Sequence, residues 1–532
     1  MVQGGYNAVL QPHDSLDQHF QDTIEGGAYL NDQELAWALV QTAPERIREL
    51  ENRMGCFFDR NPDGTIHQKA FAGQSFDRTV HRGDLTGIEI MSRLMEQAMR
   101  RGIPALEDHR AIALLPSSDG NRIAGALMLD MRRGAFIVVQ AKATLLATGA
   151  GPTMYKIAAP SAEKTTDGLA MAYRAGATCM DMEMVQFHPT GLLVGESGIS
   201  GTVLEEGLRG VGGYLLNGRM ERYMANYDPR RMERSTRDVV SRSSYLEMMA
   251  GRGSTHGGVY IDVSHLGAEF VESNFPGMVE RCRDVGFDLA REAVEVSPTA
   301  HYIMGGVQID TTCRSNLAGL FVAGEDSCGV HGANRLGGNG VACSTVFGGV
   351  AGDHMAPYIA ECEVPIASMS QARDVIARVT APFGGPGDED VYALRDELKA
   401  LMWEQVGLVR HASGLEAAKK ALEELQQRAQ QAPVSGGTRL NAEWHEWLNL
   451  DSMCTVSQMI VASALAREES RGSHYRSDFP EPGDDAAVHN IYLQYDGEHM
   501  RQWTEPVVFS RLKPPPLAAK MAEEIYLAQE GE

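Results

Sequence analysis

The chain has no apolar run approaching the roughly 18 residues that a helix needs to cross a bilayer, so it is not read as membrane-spanning. Its eight cysteines are scattered at 56, 179, 282, 313, 328, 343, 362 and 454, with no Cys-x-x-Cys pair and no zinc spacing. They read as free thiols in a reducing compartment, and no metal site is expected. A cysteine run spaced for an iron–sulfur cluster is missing too. Positive charge is scarce: 48 Lys and Arg stand against 71 Asp and Glu, a formal net charge of -23. A general nucleic-acid binder needs a basic face, so that class is excluded, and any anionic small guest must be held by local arginines and histidines. The opening Met1-Val2-Gln3-Gly4-Gly5-Tyr6 lacks the basic and apolar regions of a signal peptide. It reads instead as a loop feeding a helix over 6–10 whose preceding strand is missing, and a truncated start is expected.

What is present is an ordinary folded composition, 43% hydrophobic and 22% charged, over 532 residues. At roughly 100 to 200 residues per domain, three or four domains are expected. Helical stretches follow the start, broken by turn signals at Gly26-Gly27 and Asn61-Pro62-Asp63-Gly64, and 88–101 reads as a helix with a basic last turn. The runs 111–115, 123–130 and 136–140 read as an antiparallel meander. A compact strand over 143–147 ends at Thr148-Gly149-Ala150-Gly151, and Asp167-Gly168 precede a helix over 169–175. Strands ending in glycines before helices are the anatomy of an open parallel sheet that binds a cofactor at its C-terminal edge. From 189 to 296 the texture turns to loops and charged helices, read as an inserted domain. Beyond 352 it is helical: Ser413 and Glu416 suggest a capping box for a helix over 415–431, with Leu415, Leu422 and Leu425 on one face and a Glu416–Lys420 pair on the other. Lys513-Pro514-Pro515-Pro516 reads as an extended stop.

The stretch 331–340, His-Gly-Ala-Asn-Arg-Leu-Gly-Gly-Asn-Gly, follows the apolar run that ends at Ala323-Gly324-Glu325. Its glycines suit close approach to a guest, and Arg335 within it suits a two-pronged grip on a carboxylate or phosphate. The other reading is a plain strand–loop–helix corner with a surface arginine. Companion segments are Gln186-Phe187-His188-Pro189-Thr190-Gly191, Glu205-Glu206-Gly207-Leu208-Arg209-Gly210, Thr236-Arg237-Asp238-Val239-Val240, and 297–306 with His301.

With Gln3-Gly4-Gly5, Thr148-Gly149, Asp181-Met182-Glu183 and Glu469-Ser470-Arg471-Gly472, these segments resemble, in order and spacing over most of the chain, the flavoprotein subunits of succinate dehydrogenases and fumarate reductases, a family that includes L-aspartate oxidase. The resemblance implies an α/β fold: an FAD-binding doubly wound domain, incomplete at its N-terminus, over 1–188 and 297–355. An α+β capping domain would occupy 189–296, a helical domain 356–470 and an irregular C-terminal segment 471–532. It implies that His188, His301 and Arg335 hold a dicarboxylate over FAD, with Phe71 packed against it. Arg237 would act as general acid or base, reloaded through Glu206 and Arg209. FAD would be held at Gly4, Gly5, Thr148, Gly149, Asp167 and Glu325, with glycine-turn amides on phosphates and acids on hydroxyls. The implied activity is succinate–fumarate interconversion. Electrons would be exchanged with an iron–sulfur protein subunit and, through it, with a quinone and a membrane-anchoring subunit, which places the chain in the cytoplasm, peripheral on the inner face of the membrane. L-aspartate oxidase and a catalytically silent truncated partner are the alternatives.

Departures from the family pattern are Ala72 after Phe71, Leu85 before Thr86, Thr165-Thr166 before Asp167, Gly340-Val341 after Asn339, and Glu205 where Thr or Ser is usual. The family's first strand and Gly-x-Gly-x-x-Gly turn are not in the sequence as written, so weak FAD retention is expected. Glu205 is expected to be protonated or turned toward Arg209, since a free carboxylate there would repel a dicarboxylate.

Overall fold

The computed structural model describes residues 4–195 and 197–515, without the Ala486 side chain. Gln3 and Pro516, which close two of the motifs above, lie outside the described residues.

At the centre, Thr144–Leu146 pairs in parallel with Leu320–Val322. Both strands stop at glycine-bearing turns, 148–151 and Gly324, so their C-terminal ends open on one edge. The meander lies beside them: His109–Pro116, Ile123–Asp130 and Ala135–Gln140, all antiparallel. Its inner positions Leu115, Leu127 and Leu129 are buried in the main core with Leu146, Phe321 and Val322. Behind the strand pair runs the long helix Asn339–Glu361, which starts directly after the arginine loop.

The segment expected to be a helix entry at 6–10 is a strand, Tyr6–Asn7, paired with Thr79–Val80, which pairs in turn with Gln68–Lys69. Tyr6 and Asn7 are both buried, which a period-3.6 reading of five residues could not reveal. Gly5 is required by this approach, because a Cβ there would lie 2.6 Å from the Val80 carbonyl oxygen.

Between 189 and 296 a second core forms around Leu192, Leu215, Val240, Ile261, Val279 and Val296. Its sheet runs in the order Tyr214–Leu216, Val259–Asp262, Val294–Ile303, Val185–Leu192. The first two of these strands are three and four residues long, too short to announce themselves among loops and charged helices. The two long strands leave this core and run back toward the arginine loop. They carry side chains from one body to the other.

Three helices, Val391–Gln405, Ala412–Gln431 and Ala442–Ala466, pack together. Leu415, Leu422 and Leu425 are buried as the stripe requires. The cap differs from the expected box: His411 is the N-cap, and its Nδ1 accepts from the Gly414 amide at 3.0 Å, while Lys420 lies 3.8 Å from Glu424. His411 carries a ring acceptor at the cap position itself, so Ser413 falls inside the first turn. The C-terminal strands His489–Tyr495 and Met500–Pro506 join the sheet of Cys179–Met180. There Arg467 is buried between Glu183 (2.6 Å) and Asp181 (3.1 Å).

Candidate active site

Two adjacent strands bring two histidines together. Register places Thr299 opposite His188, and an irregularity between Ala300 and Tyr302 falls at His301. The two rings lie 5.4 Å apart at 65°. His188 is buried, and its Nδ1 accepts from the Thr190 amide at 3.3 Å, which leaves its proton on Nε2. His301 Nδ1 has no partner among the described residues. Burial first, and then Arg237 and Arg335, hold both rings well below the ordinary imidazole range. They are neutral donors rather than cations at neutral pH.

Arg335 is 5% exposed, so it is not the surface arginine of the plainer reading. Its guanidinium lies over the Tyr302 ring at 4.6 Å, Nη1 donates to the Leu336 carbonyl at 3.2 Å, and Nε is unpartnered among the described residues. Burial and then Arg237 push it down to about 10, so it stays charged at neutral pH. The departure at Gly340 has a steric reason: a Cβ there would lie 3.0 Å from Arg335 Nη1.

Arg237 opens the helix Arg237–Glu247 and is buried. Glu206 Oε2 accepts from its Nε (2.9 Å) and Nη2 (2.5 Å), and Gln186 Oε1 from its Nη1 (3.1 Å). Glu206 Oε1 lies 3.3 Å from Arg209 Nη2, and Arg209 Nη1 donates to the Glu233 carbonyl at 2.6 Å. Arg237, Glu206 and Arg209 are therefore one connected chain. It ends on a cavity of about 660 Å³ lined by Glu206, Arg209, Arg231, Arg234 and the loop 70–75. Phe71, in that loop, is buried, and a Cβ on Gly337 would lie 2.7 Å from its ring and 2.6 Å from Glu206 Oε2.

Glu205 is not turned toward Arg209. Its Oε1 bonds Lys69 Nζ, across 136 residues of sequence, and its Oε2 has no partner among the described residues. Burial raises the Glu205 carboxyl and Lys69 pulls it back. Lys69 was not among the expected site residues, and nothing local marks it. Gln186 likewise gained its part only through geometry: besides Arg237, its Nε2 donates to Asn334 Oδ1 (2.7 Å) and the Arg335 carbonyl (2.8 Å).

At the strand ends, Thr148 and Gly149 adjoin Asp167: a Cβ on Gly168 would lie 2.9 Å from the Thr148 methyl. The amides of Thr148, Gly149 and Ala150 all donate to the buried Asp326 carboxylate, at 3.1 Å for the last two. This corrects the expectation that the amides of this turn hold phosphates, because a neighbouring acid already occupies them. Glu325 is buried, its Oε1 accepts from the Ile303 amide at 3.1 Å, and burial raises it to about 7. Gly4 lies against Phe71, where a Cβ would be 3.7 Å from the ring. FAD fits this donor set. Glu325 presents Oε2 for a sugar or ribityl hydroxyl, and glycines 149, 151 and 324, all at positive φ, keep side chains off the crevice edge.

A glycine-edged crevice beside two guanidiniums and two neutral imidazoles defines a flavin-dependent oxidoreductase acting on an anion. Residues 1–341 match the FAD binding domain family, and 395–521 match the fumarate reductase flavoprotein C-terminal family. An uncharacterized FAD-dependent oxidoreductase of Methanocaldococcus jannaschii is 44% identical over 483 residues, covering 90% of this chain and 87% of that one. The flavoprotein of the fumarate reductase (CoM/CoB) of Methanothermobacter marburgensis is 42% identical over 496 residues, covering 90% and 87%. E. coli quinol fumarate reductase superposes with a TM-score of 0.90 at 32% identity, covering 96% of this chain and 90% of that one. The chain belongs to the FAD-dependent flavoprotein family of fumarate reductases and succinate dehydrogenases.

Proposed function

We propose that the chain interconverts fumarate and succinate, with Arg237 as the proton-transferring group. The observation that carries this reading is the unbroken line Arg237–Glu206–Arg209, which begins beside Arg335, His188 and His301 and ends at a large cavity.

Arg335 grips one carboxylate through its unpartnered Nε edge, and the Nε2–H of His188 and the ring of His301 donate to the other. Phe71 closes the apolar side over the middle carbons. Bound FAD supplies the hydride acceptor or donor. Arg237 gives a guanidinium proton to the carbon next to the one reduced. Its usual pKa above about 12 is matched by the strong basicity that develops at a carbon flanked by a carboxylate. Glu206 then returns a proton to Arg237, supplied in turn through Arg209 from the cavity. In the oxidising direction the same groups carry the proton outward.

The same reading divides the chain into a cofactor body over 1–188 and 297–355, a cap over 189–296, a helical unit over 356–470 and a C-terminal segment over 471–532. It includes electron exchange with an iron–sulfur protein and, through a membrane-anchoring subunit, with a quinone pool. The chain would then sit on the inner face of the membrane through those partners. No helix among the described residues is long and apolar enough to cross a membrane.

The test is an assay of FAD-loaded protein with fumarate plus a reduced dye, succinate plus an oxidised dye, and L-aspartate plus oxygen. Turnover with the two C4 dicarboxylates is expected. Turnover with aspartate alone would replace the reading with an L-aspartate oxidase, and no turnover with any of the three would leave a silent partner.

A further inference from the structure

The crevice edge carries more negative charge than a cofactor with two phosphates tolerates. Glu325 and Asp326 are consecutive, both buried, and both raised by that burial. Asp326 also removes the usual remedy, since it accepts from all three amides of 148–150 and leaves none of them for a phosphate oxygen.

One cation faces this edge at close range. Lys164 Nζ lies 3.0 Å from the Gly149 carbonyl oxygen and 3.9 Å from Glu325 Oε2. Its side chain is 40% exposed, so the ammonium is open to an incoming group. The two turn glycines lie directly under it. A Cβ on Gly149 would be 2.9 Å from Nζ, and one on Gly151 would be 2.7 Å from the lysine Cβ. Both glycines sit in the left-handed region, at φ +83° and +96°, so backbone conformation and the space under the lysine favour glycine together. The lysine precedes Thr165 and Thr166, one of the places where the sequence departs from the family pattern, and Thr166 holds a left-handed φ of 58° that re-aims the chain there.

We propose that Lys164 is the phosphate-pairing residue of this chain's FAD site. Its ammonium has three donors, and the Gly149 carbonyl uses one. The others meet a non-bridging oxygen of the pyrophosphate, and the lysine supplies by charge what the occupied amides do not supply by hydrogen bonds. This rests on FAD being the cofactor and not on the identity of the substrate.

The experiment reads flavin binding, not turnover. Apo full-length chain is titrated with FAD and with riboflavin, which has no phosphates, by flavin fluorescence at about 0.05 and 0.5 M salt, for wild type, Lys164→Gln and Lys164→Arg. Lys164→Gln is expected to weaken FAD by roughly tenfold, the size of one modest ion pair, and to flatten its salt dependence, with riboflavin unchanged and Lys164→Arg close to wild type. FAD binding by Lys164→Gln equal to wild type overturns the assignment. So does an equal loss of riboflavin, which would place the lysine's effect at Glu325. Salt-insensitive FAD binding by wild type overturns it without any variant. Wild type that binds neither flavin overturns the cofactor reading as well, so the two failures are told apart.

Discussion

Arg237 places two of its three nitrogens on a single oxygen of Glu206, Nε at 2.9 Å and Nη2 at 2.5 Å, and the other Glu206 oxygen faces Arg209. Burial alone would raise the Glu206 carboxyl. Arg237 and Arg209 outweigh it and hold the group below its ordinary range. A carboxylate gripped in this way stays ionised and fixes the direction of the guanidinium. The third nitrogen, Nη1, is steered by Gln186 on the strand that also carries His188. The proton-bearing group and one substrate-facing histidine are therefore tied to one rigid element.

Replacement of Arg237 by Lys keeps the charge but not the two-pronged contact. Turnover is expected to fall by about 10² to 10⁴, the usual worth of a positioned acid, with a much smaller change in KM. Steady-state dye-linked kinetics on protein with unchanged circular dichroism provides the check. A loss of turnover under about tenfold would remove Arg237 from the proton step.

How far the sequence carried these conclusions differs by residue. Arg335, His188, His301 and Arg237 lie in short motifs whose spacing carries a family resemblance, and the structure brings all four to one cleft. The parallel strands and the meander were legible because apolar runs bounded by glycines have few other uses. Tyr6–Asn7 was misread because two residues of strand carry no period. Lys69 was missed because its partner Glu205 is 136 residues away and neither flank hints at the pairing. Asp326 was hidden beside Glu325, where the more familiar acid drew the cofactor role. What local pattern cannot encode is which of two adjacent acids the fold turns inward.

The Lys69–Glu205 pair lends itself to a double-mutant cycle. Glu205 is 1% exposed and Lys69 20%, so Lys69→Met leaves a buried carboxylate without its cation. A loss of about 3 kcal/mol in unfolding free energy is expected, at the lower end of what breaking a buried pair costs. Lys69→Met combined with Glu205→Thr should recover most of it, because the stranded charge goes with its partner. Chemical denaturation of the four proteins measures the coupling. Additive losses would show that the two side chains do not depend on one another.

Gly340 tests the seat of Arg335. A methyl group there would sit 3.0 Å from Nη1 and 3.2 Å from Cζ, tighter than ordinary contact, and the guanidinium is boxed by Tyr302 on another side. Gly340→Ala should push Arg335 a few tenths of an ångström and raise KM for the dicarboxylate roughly three- to tenfold, about 0.7 to 1.4 kcal/mol of binding. Stability should change little, because alanine suits a helix interior better than glycine. An unchanged KM would mean that Arg335 does not touch the substrate.

Acid should destabilise the fold through its buried histidines, and the sign can be worked out. His188, His331 and His474 are buried, and burial, aided by neighbouring arginines, holds each well below its ordinary value. The unfolded chain takes up their protons below about pH 6.5 while the folded chain does not. Their contribution is present above pH 6.5 and is lost as pH falls toward the folded values. Glu325 works in the opposite sense: raised to about 7, it holds a proton in the folded state that the unfolded chain has released above about pH 4.3, so its contribution is present below that value and lost as pH rises through about 7. Between about pH 4.5 and 6.5 the two effects oppose each other, and single variants separate them. His474→Gln should flatten the fall of unfolding free energy on acidification, by about 1.4 kcal/mol per pH unit in the middle of that window. Glu325→Gln should steepen it by a similar amount, because it removes the group that gains from acid. Denaturation midpoints of the apo chain at pH 5.0, 5.5, 6.0 and 6.5 give both slopes. If the two variants change the slope in the same direction, at least one of these groups is not in the protonation state assigned to it.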